Sequence, residues 1–336
     1  MSDKIHISFN ASGWMCVFQF GVVTLLKEYV DLNEAQLYGT SAGATVATSI
    51  ALNYSSEITA EEFCKQEYIA RSDFKKMVPL MKNGIERLLP YDNTYKSINN
   101  LCIICSEYTD FSFKSKMFKT FNNRNELVSI LSASSHIPLL GGYLPHNFQG
   151  HLLYDGLFTD THPLKNNDKC FKITWTPDCV CGCNHHNNNL RTFAPKIKIP
   201  SRWCFLPPDD TTLRLIYWHG YCQAMKKILR PDFPCNEIGI KNFSPCKKEN
   251  QHLDIEKISK IPLTAITDDM KKIIILNDKK IINEIQRRID ITNEKYIGLI
   301  GLIRYIVVIL AILFPFLKLN IIAQSLIVSG TYISSS

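Results

Sequence analysis

No stretch of this sequence gathers arginine and aromatic side chains into a stripe. Its net charge of +7, from 38 basic against 31 acidic residues, is a mild excess, much of it in the C-terminal third. Nucleic-acid binding is therefore excluded as a default reading. Two distant Cys-x-x-Cys pairs, the usual frame of a zinc site, are also missing. The cluster Cys179-Val-Cys181-Gly-Cys183-Asn-His185-His186 is spaced Cys-x-Cys-x-Cys in an asparagine-rich loop, and a zinc-stabilised loop there stays open. Cys102 and Cys105 flank two isoleucines in an expected buried strand, where cysteine is a small apolar residue. No signal-peptide pattern precedes the first strand, since Met1-Ser-Asp-Lys4 runs straight into it. The expectation is mostly reduced cysteines in a cytosolic protein.

What is present is a globular composition. The 46% hydrophobic and 21% charged residues suit one large domain with an appendage. Lys4 to Phe9 alternates as a short strand, and Asn10 to Gly13 reads as a turn. Trp14 to Val30 is almost continuously apolar, the length of a buried helix. Ala35 to Tyr38 is a second short apolar run, followed by Gly39-Thr40-Ser41-Ala42-Gly43 and the helix-forming stretch Ala44 to Leu52. Strand, turn, helix, strand, turn, helix is a βαβα opening. It predicts an α/β fold with parallel strands covered by helices.

Gly-x-Ser-x-Gly between a strand and a helix is the context of a nucleophile elbow. Its tight turn lifts the serine hydroxyl off the sheet edge, and the helix N-terminus favours developing negative charge. An ordinary glycine-rich turn is the alternative. In a parallel sheet the turn at residues 10–13 falls on the same edge as Ser41. Backbone N–H groups of Gly13 and Trp14 could then face an oxyanion beside the serine.

A nucleophilic serine needs a base. A Ser, Asp, His order would want several strands before the serine, and only two fit here. The downstream histidines His162, His185, His186, His219 and His252 do not fall in strand-end loops. The other arrangement is a Ser-Asp dyad. His151 to Tyr154 reads as a strand leading into Asp155-Gly156, and an aspartate at a strand end before glycine can equally be a plain turn.

Gly39 to Gly43 together with Asp155-Gly156 resembles the patatin-like phospholipase family, in particular its animal lipid-droplet branch. Further segments carry the resemblance. They are Ile7 to Gly13 with Phe20-Gly21-Val22, Phe121 to Leu127 with Ala133 to Pro138, Tyr154 to Pro163, and Phe205 to Pro208 with Tyr217, Gly220, Tyr221 and Ala224. Together they span about residues 4–230 in the family's order. The resemblance implies a three-layer α/β/α sandwich with Ser41 as nucleophile and Asp155 as base. The oxyanion hole would lie at Ser12, Gly13 and Trp14, with Gly39, Thr40, Ala42, Gly43 and Gly156 shaping the motifs. It implies hydrolysis of fatty-acyl esters of phospholipids or acylglycerols, without a metal. Two departures stand out. The loop Asn10-Ala11-Ser12-Gly13-Trp14 has one glycine where the family is glycine-rich, and Leu157 follows Asp155-Gly156 in place of a small residue. The glycine-poor loop keeps a second function open: an impaired hydrolase fold that binds lipid or remodels membranes.

The division expected is a lipid acyl hydrolase domain over 1–230 and an irregular linker over 231–268. A basic amphipathic helix follows over 269–296, then a hydrophobic membrane-associated tail over 297–336. Ile273, Ile274, Ile281, Ile282, Ile285 and Ile289 recur on one helical face, with lysines and arginines between them. Such a helix packs on the domain or lies on an anionic membrane surface. Ile297 to Leu317 is long enough to span a bilayer, as one span or a hairpin, or to serve as a buried cap. Basic residues crowd its leading flank, which would keep the preceding domain cytosolic. The partners expected are a membrane or lipid-droplet surface and an acyl-lipid substrate, with no nucleic acid.

Overall fold

A computed structural model of the chain describes residues 4–72, 76–89, 94–138, 140, 142, 144–177, 190–238, 240 and 254–293. The chain forms two compact units, Met1–Gln286 and Arg287–Ser336. The first is a mixed α/β unit with a central sheet and helices. Of the second, the described residues 287–293 are helical.

The opening follows the βαβα expectation. β1 (His6–Phe9) leads through a short 3-10 turn at Gly13–Met15 into α1 (Cys16–Tyr29). β2 (Gln36–Thr40) runs into α2 (Ala42–Ala51). Then come α3 (Ser56–Ser72) and α4 (Met77–Leu88). β3 (Leu101–Thr109) turns through Asp110 and Phe111, both at positive φ, into β4 (Ser112–Phe118). α5 (Arg124–Ser134) starts at Asn123, whose side chain accepts from the Glu126 N–H. β5 (His146–Phe148) and β6 (His151–Asp155) form a hairpin. β7 (Cys170–Ile173) and β8 (Thr192–Phe193) complete the sheet, and α6 (Asp210–Ile228) follows.

Among the described residues the strands are hydrogen-bonded in the path β5-β6-β3-β2-β1-β7-β8, with β4 also on β3. β1 is parallel to both β2 and β7, with Phe9 opposite Gly39 on one side and Ile173 on the other. Strands buried on both faces read as unbroken apolar runs, and Ile7, Ser8 and Phe9 are all buried. α1 and α6 pack together along the core. Their backbones approach closely at two glycines. A methyl at Gly21 would stand 1.9 Å from the Tyr217 carbonyl oxygen, and one at Gly220 would stand 2.2 Å from that of Phe18.

The C-terminal third is more tightly bound to this core than an irregular linker would be. α7 (Cys235–Ile238) and α8 (Ile255–Lys260) are helical, and Leu263–Ala265 is a 3-10 turn. Buried Glu61 of α3 pairs with Arg214 of α6 at 2.8 Å and also accepts from the Leu263 N–H at 2.9 Å. The stretch expected as one basic helix is two. α9 (Asp268–Leu276) stops at Asn277, and α10 runs over 278–293. Ile274, Ile281 and Ile285 are buried, so the isoleucine stripe packs into the first unit.

Asp278 is the buried anchor of this arrangement. Its carboxylate accepts from His219 Nδ1 (3.3 Å), Gln223 Nε2 (3.1 Å) and Lys226 Nζ. His219 Nε2 accepts from the Lys196 N–H at 3.2 Å. That fixes the tautomer, with Nδ1 carrying the proton that Asp278 receives. Burial pushes the Asp278 carboxyl up, but His219 and Lys226 outweigh it and hold it below the ordinary range. No helix among the described residues is long and apolar enough to cross a membrane. The expected span over 297–317 lies outside the described residues.

Asp278→Ala should remove both carboxylate oxygens and leave the buried donors of His219 and Gln223 unpaired, while half-exposed Lys226 can turn to water. Breaking such a cluster costs about 3 kcal/mol. Chemical denaturation should show that loss as a lower midpoint with an unchanged slope.

Candidate active site

The site is assembled on one edge of β3. Thr40 at the end of β2 pairs with Ile104, and Asp155 at the end of β6 pairs with Cys105, the next residue along. Ile103 and Ile104 pair with β2 on one side and β4 on the other, while residues 105–107 pair with β6 and β4. β2 and β6 therefore share one edge of β3 and run toward each other, ending at neighbouring register positions. Both chains turn off the sheet there. A methyl on Gly156 would stand 2.6 Å from the Ile104 carbonyl oxygen and 2.7 Å from Thr40 Cγ2, so this junction has no room for a side chain.

Ser41 follows Thr40 with φ 56° and ψ −130°, a strained backbone for a residue with a Cβ. The strain is held from all sides. Ser41 N–H donates to Ser134 Oγ (2.9 Å), which itself donates to the Ile104 carbonyl (2.6 Å). Ala44 N–H donates to the Ser41 carbonyl (2.8 Å), starting α2. The two glycines of the pentapeptide are packing requirements. A methyl on Gly39 would meet Ala44 Cα at 2.4 Å, and one on Gly43 would meet the Asn10 carbonyl oxygen at 2.5 Å. The first lets α2 rise off its own strand. The second lets that helix sit against the end of β1. Ala42 and Gly43 occupy its first turn.

Ser41 Oγ donates to Asp155 Oδ2 at 2.7 Å, and the carboxylate's other oxygen accepts from the Leu157 N–H at 2.9 Å. Asp155 N–H donates to the His136 carbonyl at 2.8 Å. Asp155 is wholly buried, and burial pushes its carboxyl up to about 7, against the opposing pull of the Leu157 and Ser41 hydrogen bonds. A hydroxyl held at this distance from a carboxyl is within reach of direct proton transfer. Of the histidines weighed from the sequence, His162 lines the same cavity as Ser41 and Asp155, but its Nε2 is bonded to Ser8 Oγ at 3.0 Å. His219 belongs to the Asp278 cluster, and His185, His186 and His252 lie outside the described residues.

The loop at residues 10–14 closes the site from the end of β1. It is held by Gln19 of α1, which donates to Asn10 Oδ1 (2.7 Å) and the Asn10 carbonyl (3.0 Å) and accepts from Ser12 Oγ (3.2 Å). Ala11 N–H donates to the Thr161 carbonyl (2.8 Å), and Gly13 takes φ +50°. Ser12, Gly13 and Trp14 line, with Ser41 and Asp155, a cavity of about 350 Å³ walled by Phe63, Trp175 and Phe205. That is within the range of small-molecule sites. Thr40 and Gly156 sit behind it, and Thr40 Oγ1 donates to the Asp160 carbonyl at 2.8 Å.

Ser134 and Gln19 hold the serine turn and the loop, and the sequence singled out neither as a site residue. Ser134 was legible only as one of a Ser-Ser pair closing a helix, and Gln19 as the polar residue inside an apolar one. Among the described residues no group of three or more His, Cys, Asp or Glu side chains could hold a metal ion. The Cys179–His186 cluster lies outside them.

The chain's curated homologues are patatin-like phospholipase domain-containing proteins and omega-hydroxyceramide transacylase. Patatin-like phospholipase domain-containing protein 2 of Homo sapiens is 24% identical over 245 residues, 67% of this chain and 48% of that protein. Omega-hydroxyceramide transacylase of Homo sapiens is 27% identical over 253 residues, 68% of this chain and 46% of its own length. Patatin-like phospholipase domain-containing protein 4 of Homo sapiens is 26% identical over 173 residues, 48% of this chain and 67% of its own. The chain thus spans about half the length of the first two. No family model matches it.

A carboxyl that keeps its proton in the folded chain up to about pH 7 costs stability as pH rises from about 4, where it ionises when unfolded. Above pH 7 the cost is complete, on the order of 4 kcal/mol. Asp155→Asn should therefore be more stable than wild type at pH 8, with the gap closing toward pH 4. Thermal melts across that range measure it, and equal pH dependence in both proteins would contradict the buried-carboxyl reading.

Proposed function

With patatin-like phospholipases and a transacylase among its homologues, we propose that this chain is a lipid acyl hydrolase working through a Ser41/Asp155 dyad. The observation that carries the reading is the 2.7 Å contact between Ser41 Oγ and Asp155 Oδ2 at the start of α2. Asp155 takes the hydroxyl proton as Ser41 Oγ bonds to the ester carbonyl carbon. The carbonyl oxygen gains the negative charge and is met by N–H groups of the loop at Ser12, Gly13 and Trp14. The C–O bond to the alcohol breaks, Asp155 returns its proton to the departing oxygen, and an acyl-serine remains. Water then repeats the sequence and releases the fatty acid. The apolar cavity beside the serine suits an acyl chain, and the substrate class is the acyl esters of phospholipids or acylglycerols.

In this proposal the sheet and its helices make the three-layer α/β/α sandwich of the patatin-like fold. Residues 1–230 carry the chemistry, and 254–285 brace α6. The apolar sequence over 297–317 attaches the chain to a membrane or lipid-droplet surface, leaving the catalytic domain in the cytosol. The impaired-fold alternative rests on the single glycine of the loop, and the first test below decides it.

A fluorophosphonate probe should label wild type and leave Ser41→Ala unlabelled. Ser41→Ala and Asp155→Asn should each lose at least a hundredfold in fatty-acid release from mixed phospholipid and acylglycerol substrates. Wild type that neither labels nor exceeds Ser41→Ala sinks the enzyme reading in favour of the alternative. Because the base must be ionised, kcat/KM should fall tenfold per unit as pH drops below about 7.

Attachment is tested separately. The full chain should float with liposomes, and a chain ending at Asn293 should stay in the dense fraction with its rate on a short soluble ester retained. Equal flotation of the two would show that the 297–317 stretch is not the anchor.

A further inference from the structure

A second cavity, of about 430 Å³, is lined by Lys82, Ser129, Ser132, Ser135, His136 and His146 among others. Ser135 also lines the apolar cavity that contains Ser41 and Asp155, so the two cavities share a wall residue. Three buried atoms here have no hydrogen-bond partner: Ser132 Oγ, Ser135 Oγ and His136 Nε2. Ser135 is 6% exposed and His136 7%. Buried polar atoms are rarely left unpaired in native proteins, and three side by side on one cavity mark a place where a polar molecule binds.

The chemistry of that molecule follows from the His136 ring. It is hydrogen-bonded to the Leu144 backbone, and burial lowers its pKa from the ordinary value, which keeps it neutral. A backbone carbonyl only accepts, so the ring nitrogen facing it carries the proton. Nε2 is then a bare lone pair that wants a donor. An ionised carboxylate has no proton to offer it, whereas a hydroxyl does. The serine hydroxyls beside it can donate or accept as needed. The volume exceeds the roughly 30 Å³ share of one water several times over, so there is room for a small polyol as well. The place is also apt. His136 holds Asp155 through its backbone carbonyl at 2.8 Å, directly behind the base.

We propose that this second cavity is the acceptor site for the acyl group, binding a neutral hydroxyl compound, water or a small polyol, that Ser135 and His136 steer toward the acyl-serine. This rests on the Ser41/Asp155 reading. With the acyl chain filling the apolar cavity, the acceptor reaches the carbonyl from the Ser135 side. Its oxygen bonds to the acyl carbon as Asp155 takes its proton. The bond from that carbon to Ser41 Oγ breaks, and Asp155 returns the proton to Oγ. The product is a fatty acid with water as acceptor, or a new ester with a polyol. Ser135 and His136 are positioning residues and take no proton in the step.

The test uses the full chain with p-nitrophenyl butyrate as acyl donor, with and without glycerol. The p-nitrophenol burst reads acylation, the steady rate reads deacylation, and the products separate butyrate from monobutyrin. Wild type should form monobutyrin with saturation in glycerol. Ser135→Val and His136→Phe should lower the ratio of deacylation to acylation about tenfold, the scale of a lost hydrogen bond. His136→Asn, which keeps an acceptor oxygen, should recover most of it. A packing defect would lower both rates together and leave the ratio alone. A fall confined to butyrate assigns the site to water, and one confined to monobutyrin assigns it to a polyol. An unchanged ratio in both variants, beside an active wild type, overturns the acceptor site alone. A wild type that releases no p-nitrophenol removes the serine reading and this inference with it.

Discussion

One edge of β3 holds the two halves of the site together. Ile104 carries Thr40 and Cys105 carries Asp155, so a serine and an aspartate 114 residues apart meet because their strands take adjacent places on a third. A register slip of one residue in either ladder would turn its side chains to the other face. The junction guards against that. Ser134 fixes Ser41 N–H to the Ile104 carbonyl, and Gly156 fits over the same carbonyl with no space for a Cβ. The positive φ of Ser41 persists because these contacts over-determine it.

Burial sets the electrostatics of the pair. Asp155 is sealed from water, so its carboxyl resists ionisation, and the hydroxyl and N–H groups that meet it restore only part of the lost solvation. The carboxyl stays close to the point where it can both take and return a proton near neutral pH. The same enclosure makes the ionised form costly to the fold, so reactivity and stability pull in opposite directions at one side chain. Elsewhere the molecule solves burial by pairing. Glu61 meets Arg214, and Asp278 meets His219, Gln223 and Lys226.

The N-terminal half of the fold was legible in the sequence because its signals are local. Alternation marked β1, an apolar run marked α1, and glycines at fixed spacing marked the turn at Ser41. Asp155 was legible only beside the other segments, since an aspartate before glycine at a strand end has no signature of its own. β7 was missed because Lys172 interrupts its apolar pattern, although that lysine is buried in the structure. β4 was missed because none of its residues is buried and Ser112, Lys114, Ser115 and Lys116 interrupt its apolar Phe113, Met117 and Phe118. The isoleucine stripe of the C-terminal third was seen with both of its readings, but nothing local said that Asp278 would find buried partners on α6. Pairings of that kind depend on distant chain segments, and a single sequence does not display them.

β1 lies between β2 and β7, paired with residues 36–39 on one side and 170–173 on the other. During synthesis its first neighbour emerges almost at once, while its second waits until most of the sheet has been made. Throughout that interval the most apolar strand of the opening is an edge strand, with a row of unpaired backbone groups facing outward. Such an edge is a template for another chain. Crowded nascent copies of this protein are thus most at risk of cross-pairing along β1, and the arrival of Cys170–Ile173 is the moment at which that hazard ends.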